Sequence, residues 1–192
     1  VPVIVWGSGN VEKDAEVLRK VAEACEGMNL VIGPVVEGNY KQVGAGAIGY
    51  KHTAIASTPI DINLAKQLNI LMGNLGVPDG QIVVDPTTGG LGYGIEYTYS
   101  VMERDRMAAL TQQDERLQFP ILCNMAREVW KTKEAGIKTE DAPTLGDAKK
   151  RGILLEAMTG VILLLAGADV LIMRHPEAIK LVREMIADLM AK

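Results

Sequence analysis

Six short runs that are apolar almost throughout, at residues 3–6, 30–32, 53–57, 82–84, 120–123 and 170–173, punctuate the chain, and the segments between them carry apolar residues at helical spacing. Leu18, Val21, Ala22 and Cys25 share a face of the first such segment, which opens at Asn10, a good cap, and closes at Gly27. A later segment shows Leu64, Leu68, Leu71 and Leu75 between a capping Asp61 and a terminating Gly76. The last shows Ala178, Val182, Met185 and Leu189, with Pro176 suited to its first turn. Strands without a polar face are covered on both sides, so the alternation predicts an α/β protein built on a parallel sheet. Two architectures fit, an open doubly wound sheet and a (β/α)8 TIM barrel. A barrel takes eight units and about 250 residues. Six units in 192 residues fit a TIM barrel with only about six of its eight βα units. The chain opens on Val1 rather than methionine, and we expect one barrel domain, residues 1–192, incomplete at its N-terminal side.

The stretch around which the rest is organised is 85–94, D-P-T-T-G-G-L-G-Y-G, set between a strand-like run and a helical segment from about 95 to 110. Gly89, Gly90, Gly92 and Gly94 remove the Cβ atoms that would keep a bulky flat ligand from the backbone, and they leave N–H groups to donate. The alternative is a tight turn that needs positive φ. The spacing is not the dinucleotide fingerprint, because Ile95 stands where its last glycine belongs, and no Gly-Lys-Ser/Thr phosphate loop is present. A second unusual connection, 131–149, is charged and lacks apolar periodicity; loops of that length serve as lids, docking segments or mobile excursions.

Composition narrows the partners. A net charge of −4 without a basic cluster speaks against nucleic acid and against an anionic membrane surface. The most apolar run, 153–168, is interrupted by Glu156 and is shorter than the roughly 20 residues that span a bilayer, so it reads as a core helix. Cys25 and Cys123, with no C-x-x-C spacing, cannot by themselves assemble an iron–sulfur or zinc site, and a reducing cytoplasm is the expected compartment.

Several runs carry a resemblance: G-S-G-N-V-E-K-D from Gly7, K-Q-L-N-I-L from Lys66, the glycine loop with I-E-Y and S-V-M-E-R, R-G-I-L-L-E-A from Arg151, and R-H-P-E-A from Arg174. Together they resemble the small, delta subunit of the corrinoid iron–sulfur protein of acetyl-CoA decarbonylase/synthase complexes, in its methanogen form. The resemblance implies a TIM barrel that pairs with a large (gamma) subunit, which carries the iron–sulfur cluster and most of the cobamide domain, while the barrel caps the corrin. It implies a methyl group passed from a methyl-tetrahydropterin donor to the nickel site of the complex, with the delta subunit also helping to assemble the other subunits.

On that footing Gly89, Gly90, Gly92 and Tyr93 are expected to form a cobamide-facing rim, with Thr87 and Thr88 supplying polar contacts and residues 131–149 meeting a partner. No side chain is expected to ligate a metal or act catalytically, and both His52 and His175 lack the D-x-H-x-x-G setting of a cobalt ligand. His175, before Pro176, reads as a helix-entry residue. Asp85 and Asn124 end neighbouring strands, where pterin-binding methyltransferase barrels hold their ring with a carboxylate and an amide. They read either as that contact or as an aspartate capping the Pro86 turn and an asparagine closing a loop. Asn10 and Asn39 face the expected mouth, although Asn10 also explains itself as a cap. The alternative function is a free-standing pterin-dependent methyltransferase; a pure assembly scaffold is the third.

Overall fold

The computed structural model describes residues 1–191. By their contacts these form two compact units, one of Val1–Pro86 with Arg104–Ile121 and the other of Thr87–Glu103 with Leu122 onward.

In the first unit, strands β1 (Ile4–Trp6), β2 (Val31–Val35), β3 (Thr53–Ser57) and β4 (Ile82–Asp85) alternate with helices α1 (Val11–Ala24), α2 (Tyr40–Tyr50) and α3 (Ile62–Leu75). The strands form one parallel sheet in chain order, β1-β2-β3-β4, with Ile4 beside Val31, Val31 beside Thr53 and Ala54 beside Ile82. That order lacks the reversal that defines a doubly wound sheet and is the order of a barrel. Helix ends lie where their chemistry dictates. Asn10 accepts from the Lys13 N–H, Asp61 accepts from Asn63 and Leu64, and Gly76 closes α3 at φ 100°, a left-handed conformation that glycine adopts without strain. Leu18, Ile32, Val43, Leu68, Met72, Ile82, Val84 and Phe119 make one buried core, and each large apolar side chain there contributes about 1.5–3 kcal/mol. His52 is buried in the same unit, its Nδ1 accepting from the Leu30 N–H at 3.1 Å and its Nε2 donating to the Ala22 carbonyl at 2.8 Å. The imidazole joins the end of α1 to the start of β2.

Helix α4 (Glu96–Thr111) follows the glycine loop. In the second unit β5 (Leu122–Asn124) pairs in parallel with β6 (Val170–Ile172), Leu122 beside Val170 and Asn124 beside Ile172. Helices α5 (Ala126–Lys131), α6 (Lys133–Gly136), α7 (Ala148–Leu165) and α8 (Pro176–Met190) surround this pair in sequence. Ile153, Ala157, Ala178 and Val182 are its core, packed by Trp130, Leu171 and Met173.

Two helical faces differ from the expected ones. In α3 the buried positions are Ala65, Leu68, Asn69 and Met72, while Leu64 is 37% exposed. The face is rotated because Leu64, Leu68 and Leu71 line a cleft of about 220 Å³ beside the loops after β2 and β3. In α8 Ala178 and Val182 are buried as expected, but Met185 and Leu189 are 44% and 62% exposed, together with Ile186 and Met190. Only the first half of that helix is packed within the unit.

Residues 131–149 are likewise not a free excursion. They fold as α6 and a 3-10 turn at Pro143–Leu145, and Arg151 staples them. Its guanidinium donates to the carbonyls of Glu134 (2.5 Å), Leu145 (3.3 Å), Gly146 (3.0 Å) and Ile137. Together with the buried Ala135 and the Thr132 cap of α6, one cation thereby ties down a segment without an apolar face, a device that periodicity does not register. Arg151→Ala is expected to open this segment and raise its limited-proteolysis rate by about tenfold, the equivalent of about 1.4 kcal/mol of local opening. Arg151→Lys is expected to recover little, since an ammonium cannot span four separated carbonyls. Unchanged cleavage in both variants would show that the segment is held some other way.

Candidate functional site

The residues singled out by sequence fall in both units. In the first, the loop after β1 winds around Asp14, which is 2% exposed and accepts from the Ser8 N–H, the Ser8 hydroxyl and the Gly9 N–H, each at 2.8 Å. Burial pushes this carboxyl up, and the Ser8 and Gly9 donors outweigh it, holding it below its ordinary value. A Cβ on Gly7 would come within 2.6 Å of the same carboxyl, so glycine is demanded there by the fold. The Ser8 and Gly9 donors are therefore already occupied, and Asn10 is the helix cap.

Asn39, 1% exposed, turns inward: its Oδ1 accepts from the Val36 N–H at 2.8 Å and its Nδ2 donates to the Pro34 carbonyl at 3.3 Å. Asp85, 3% exposed at the end of β4, accepts from the Ser57 hydroxyl at 2.7 Å, and its carbonyl accepts from the Thr58 N–H. Ser57 and Thr58 also line the cleft beside β2 and β3. No local pattern marks this role, because the pairing of Ser57 with Asp85 joins residues 28 apart in the chain.

In the second unit the glycine loop is a series of tight turns. The N–H groups of Leu91, Tyr93 and Gly94 donate to the carbonyls of Thr88 and Gly90. Those of Gly89, Gly90 and Gly92 have no partner among the described residues. Thr87 holds φ 62°, uncommon for a β-branched residue, and its carbonyl accepts from the Thr98 hydroxyl at 3.1 Å. Thr88 is buried and donates its hydroxyl to the Asn124 carbonyl at 2.8 Å. These two threonines build the loop, and Asn124, half-buried at the end of β5, anchors it.

The outer part of the loop is different. Gly94, at φ 142°, has the Glu96 carboxyl where a Cβ would stand. Gly92 has neither reason to be glycine: its φ lies outside the left-handed range and a Cβ there would meet nothing within 4 Å. Beside it Tyr93 is 89% exposed, and Tyr97, at the start of α4, is 54% exposed. The Tyr93 ring thus stands in water next to bare backbone and is no part of the core.

His175 caps α8, its Nδ1 accepting from the Glu177 N–H at 3.2 Å, as its helix-entry position suggested. Among the described residues no three His, Cys, Asp or Glu side chains gather as a metal site, and no helix is long and apolar enough to cross a membrane.

With this geometry in view, residues 1–188 match the family profile described as CO dehydrogenase/acetyl-CoA synthase delta subunit. The acetyl-CoA decarbonylase/synthase complex subunit delta of Methanopyrus kandleri is 43% identical over 185 residues, covering 96% of this chain and 45% of that protein. The same subunit of Archaeoglobus fulgidus is 39% identical over 198 residues, covering 100% of this chain and 43% of that protein. The chain thus spans less than half the length of these relatives. Among solved structures, dihydropteroate synthase of Yersinia pestis aligns with a TM-score of 0.63 at 16% identity, covering 100% of this chain and 70% of that one. The enzyme of Thermus thermophilus aligns at 0.61 and 18% identity, covering 98% and 72%. These are TIM barrels, and at such identity the likeness speaks for the fold alone: the six βα units here are units of a (β/α)8 barrel.

Proposed function

Because the chain belongs to the CO dehydrogenase/acetyl-CoA synthase delta subunit family, we propose that it works as a non-catalytic barrel part of a corrinoid methyl carrier. In this reading it helps hold the cobamide and assemble the acetyl-CoA decarbonylase/synthase complex. Its partner is the large, gamma corrinoid subunit, which bears the iron–sulfur cluster. The methyl group comes from a methyl-tetrahydropterin and goes on to the nickel site of the complex. When bound, the cobamide supplies the cobalt that carries the methyl group.

This chain's own contribution is a surface. Gly89, Gly90 and Gly92 let a flat macrocycle come close to the backbone, and their N–H groups are available to amide or carboxyl groups at its edge. Tyr93 offers a ring to stack and to exclude water, and Thr87, Thr88 and Asn124 hold the loop in shape. Both ring nitrogens of His52 are bonded in the core, so that side chain cannot meet the corrin, and Nδ1 of His175 caps a helix. The observation that carries the reading is Gly92, a glycine that its own fold does not require, beside an 89% exposed tyrosine. The Asp85 carboxylate is taken up by the Ser57 hydroxyl, whereas Asn124 meets the glycine loop through its main-chain carbonyl; a free-standing pterin methyltransferase stands second.

The test is co-expression of the full chain with the large subunit, followed by size exclusion with corrin absorbance monitored across the peaks. Gly92→Leu has room within its own fold, so the variant is expected to assemble yet retain cobamide about tenfold less well, the equivalent of about 1.4 kcal/mol. Corrin retention equal to wild type in Gly92→Leu and Tyr93→Ala would leave assembly alone as the role. A tetrahydropterin bound tightly by the chain without any large subunit would favour the methyltransferase.

A further inference from the structure

The second unit contains an acid that the proposed function does not use. Glu156, fully buried in α7, accepts from the Trp130 indole N–H at 2.9 Å, from the His175 N–H at 3.0 Å and from the Arg174 N–H. Three donors converge on its two oxygens, and this one side chain fixes both backbone groups of the turn after β6 together with an indole from α5.

The consequence is geometric. Consecutive side chains of that turn lie against the same ring: the Arg174 guanidinium carbon stands 5.6 Å from the Trp130 centroid, and the His175 ring stacks at 5.9 Å and 27°. Because His175 Nδ1 accepts from Glu177, the proton of the neutral imidazole is on Nε2. The Arg174 guanidinium and the His175 Nε2 are thus two donors ordered against one indole, and neither has an acceptor among the described residues. Exposed arginines ordinarily wander; this one is held over an indole with its charge uncompensated.

We infer that Arg174 and His175, held on Trp130 by Glu156, form an oxyanion-binding site that takes a phosphate or carboxylate group of a small ligand. The inference is independent of the proposed role of the glycine loop, which shares none of these four residues. A planar guanidinium matches either oxyanion with paired N–H donors, and the imidazole adds a third bond.

Inorganic phosphate and glutarate are titrated separately into the full chain at constant ionic strength, and the Trp130 indole N–H resonance is followed by NMR. A saturable shift with either probe, absent with chloride, is expected. Tighter binding of phosphate assigns a phosphoryl ligand; tighter binding of glutarate assigns a carboxylate one. Arg174→Gln should weaken the response by about tenfold or more, as loss of a paired charge-assisted contact would, with Arg174→Lys intermediate. The indole N–H keeps its bonded position in both variants without anion, which reports that the turn is intact. No saturable shift, an equal shift with chloride, or an undiminished shift in Arg174→Gln overturns the assignment.

Discussion

Replacing Asp105 by asparagine is expected to raise stability relative to wild type by about 2.4 kcal/mol more at pH 8 than at pH 4. Asp105 is 4% exposed, and neither carboxyl oxygen has a hydrogen-bond partner among the described residues. Burial pushes its pKa from 3.8 up to about 6; nearby Arg106 offsets part of that rise and Asp114 adds to it. Between pH 3.8 and about 6 the folded state keeps a proton that the unfolded chain has lost. Stability therefore falls as pH rises through that window, and the loss is complete above it. Asparagine carries no such charge, so the difference between variant and wild type grows with pH. A constant offset from its own buried amide does not change the slope. Denaturant titrations of both proteins at the two pH values measure it, and a difference that stays flat between them would mean that Asp105 is solvated or paired in the folded chain.

Asp105 also shows where sequence reading stops. The alternation of apolar runs and periodic segments located all six strands, and local chemistry located helix ends at Asn10, Asp61, Gly76 and Pro176. Such features are decided within a few residues of themselves. What covers a helix is decided far away in the chain, so the buried face of α3 is rotated from the one its leucine spacing predicts, and the second half of α8 is bare although its spacing predicts a buried face. Polar residues follow the same rule. Glu156 was visible as an acid interrupting the most apolar run, but its partners lie 18, 19 and 26 residues away. The Arg151 staple reaches back as far as 17 residues. For the glycine loop, composition indicated a bare backbone without saying which glycines the turns consume and which face outward. Gly92 and Gly94, two residues apart, differ in that respect.

Glu156→Leu is expected to cost about 3 kcal/mol, from three part-buried donors left without an acceptor at about 1 kcal/mol each, the low end of the range for an unmet donor. The opposite result has a physical basis, because replacing a buried charge by a well-packed apolar side chain often stabilises a protein. The donors decide between the two. Those of Arg174 and His175 are backbone N–H groups, fixed in the turn whatever side chains surround them, and the third belongs to an indole against which a Cβ on Gly152 would come within 2.6 Å. None can turn away to find water without dismantling the end of β6 or the packing of α5 on α7. Glu156→Gln separates charge from acceptor number. Its single oxygen has room for two of the three donors while its amide N–H2 faces the third, so a cost of about 1 kcal/mol is expected, below that of leucine. Thermal unfolding gives the order of the three proteins, and the Trp130 indole N–H resonance shows whether its bond survives. If Glu156→Leu melted with wild type, the donors would be reached by water and the turn would be open rather than dry. If Glu156→Gln kept the indole bond but lost the response to phosphate and glutarate, the carboxylate would be identified as the group that positions Arg174 and His175.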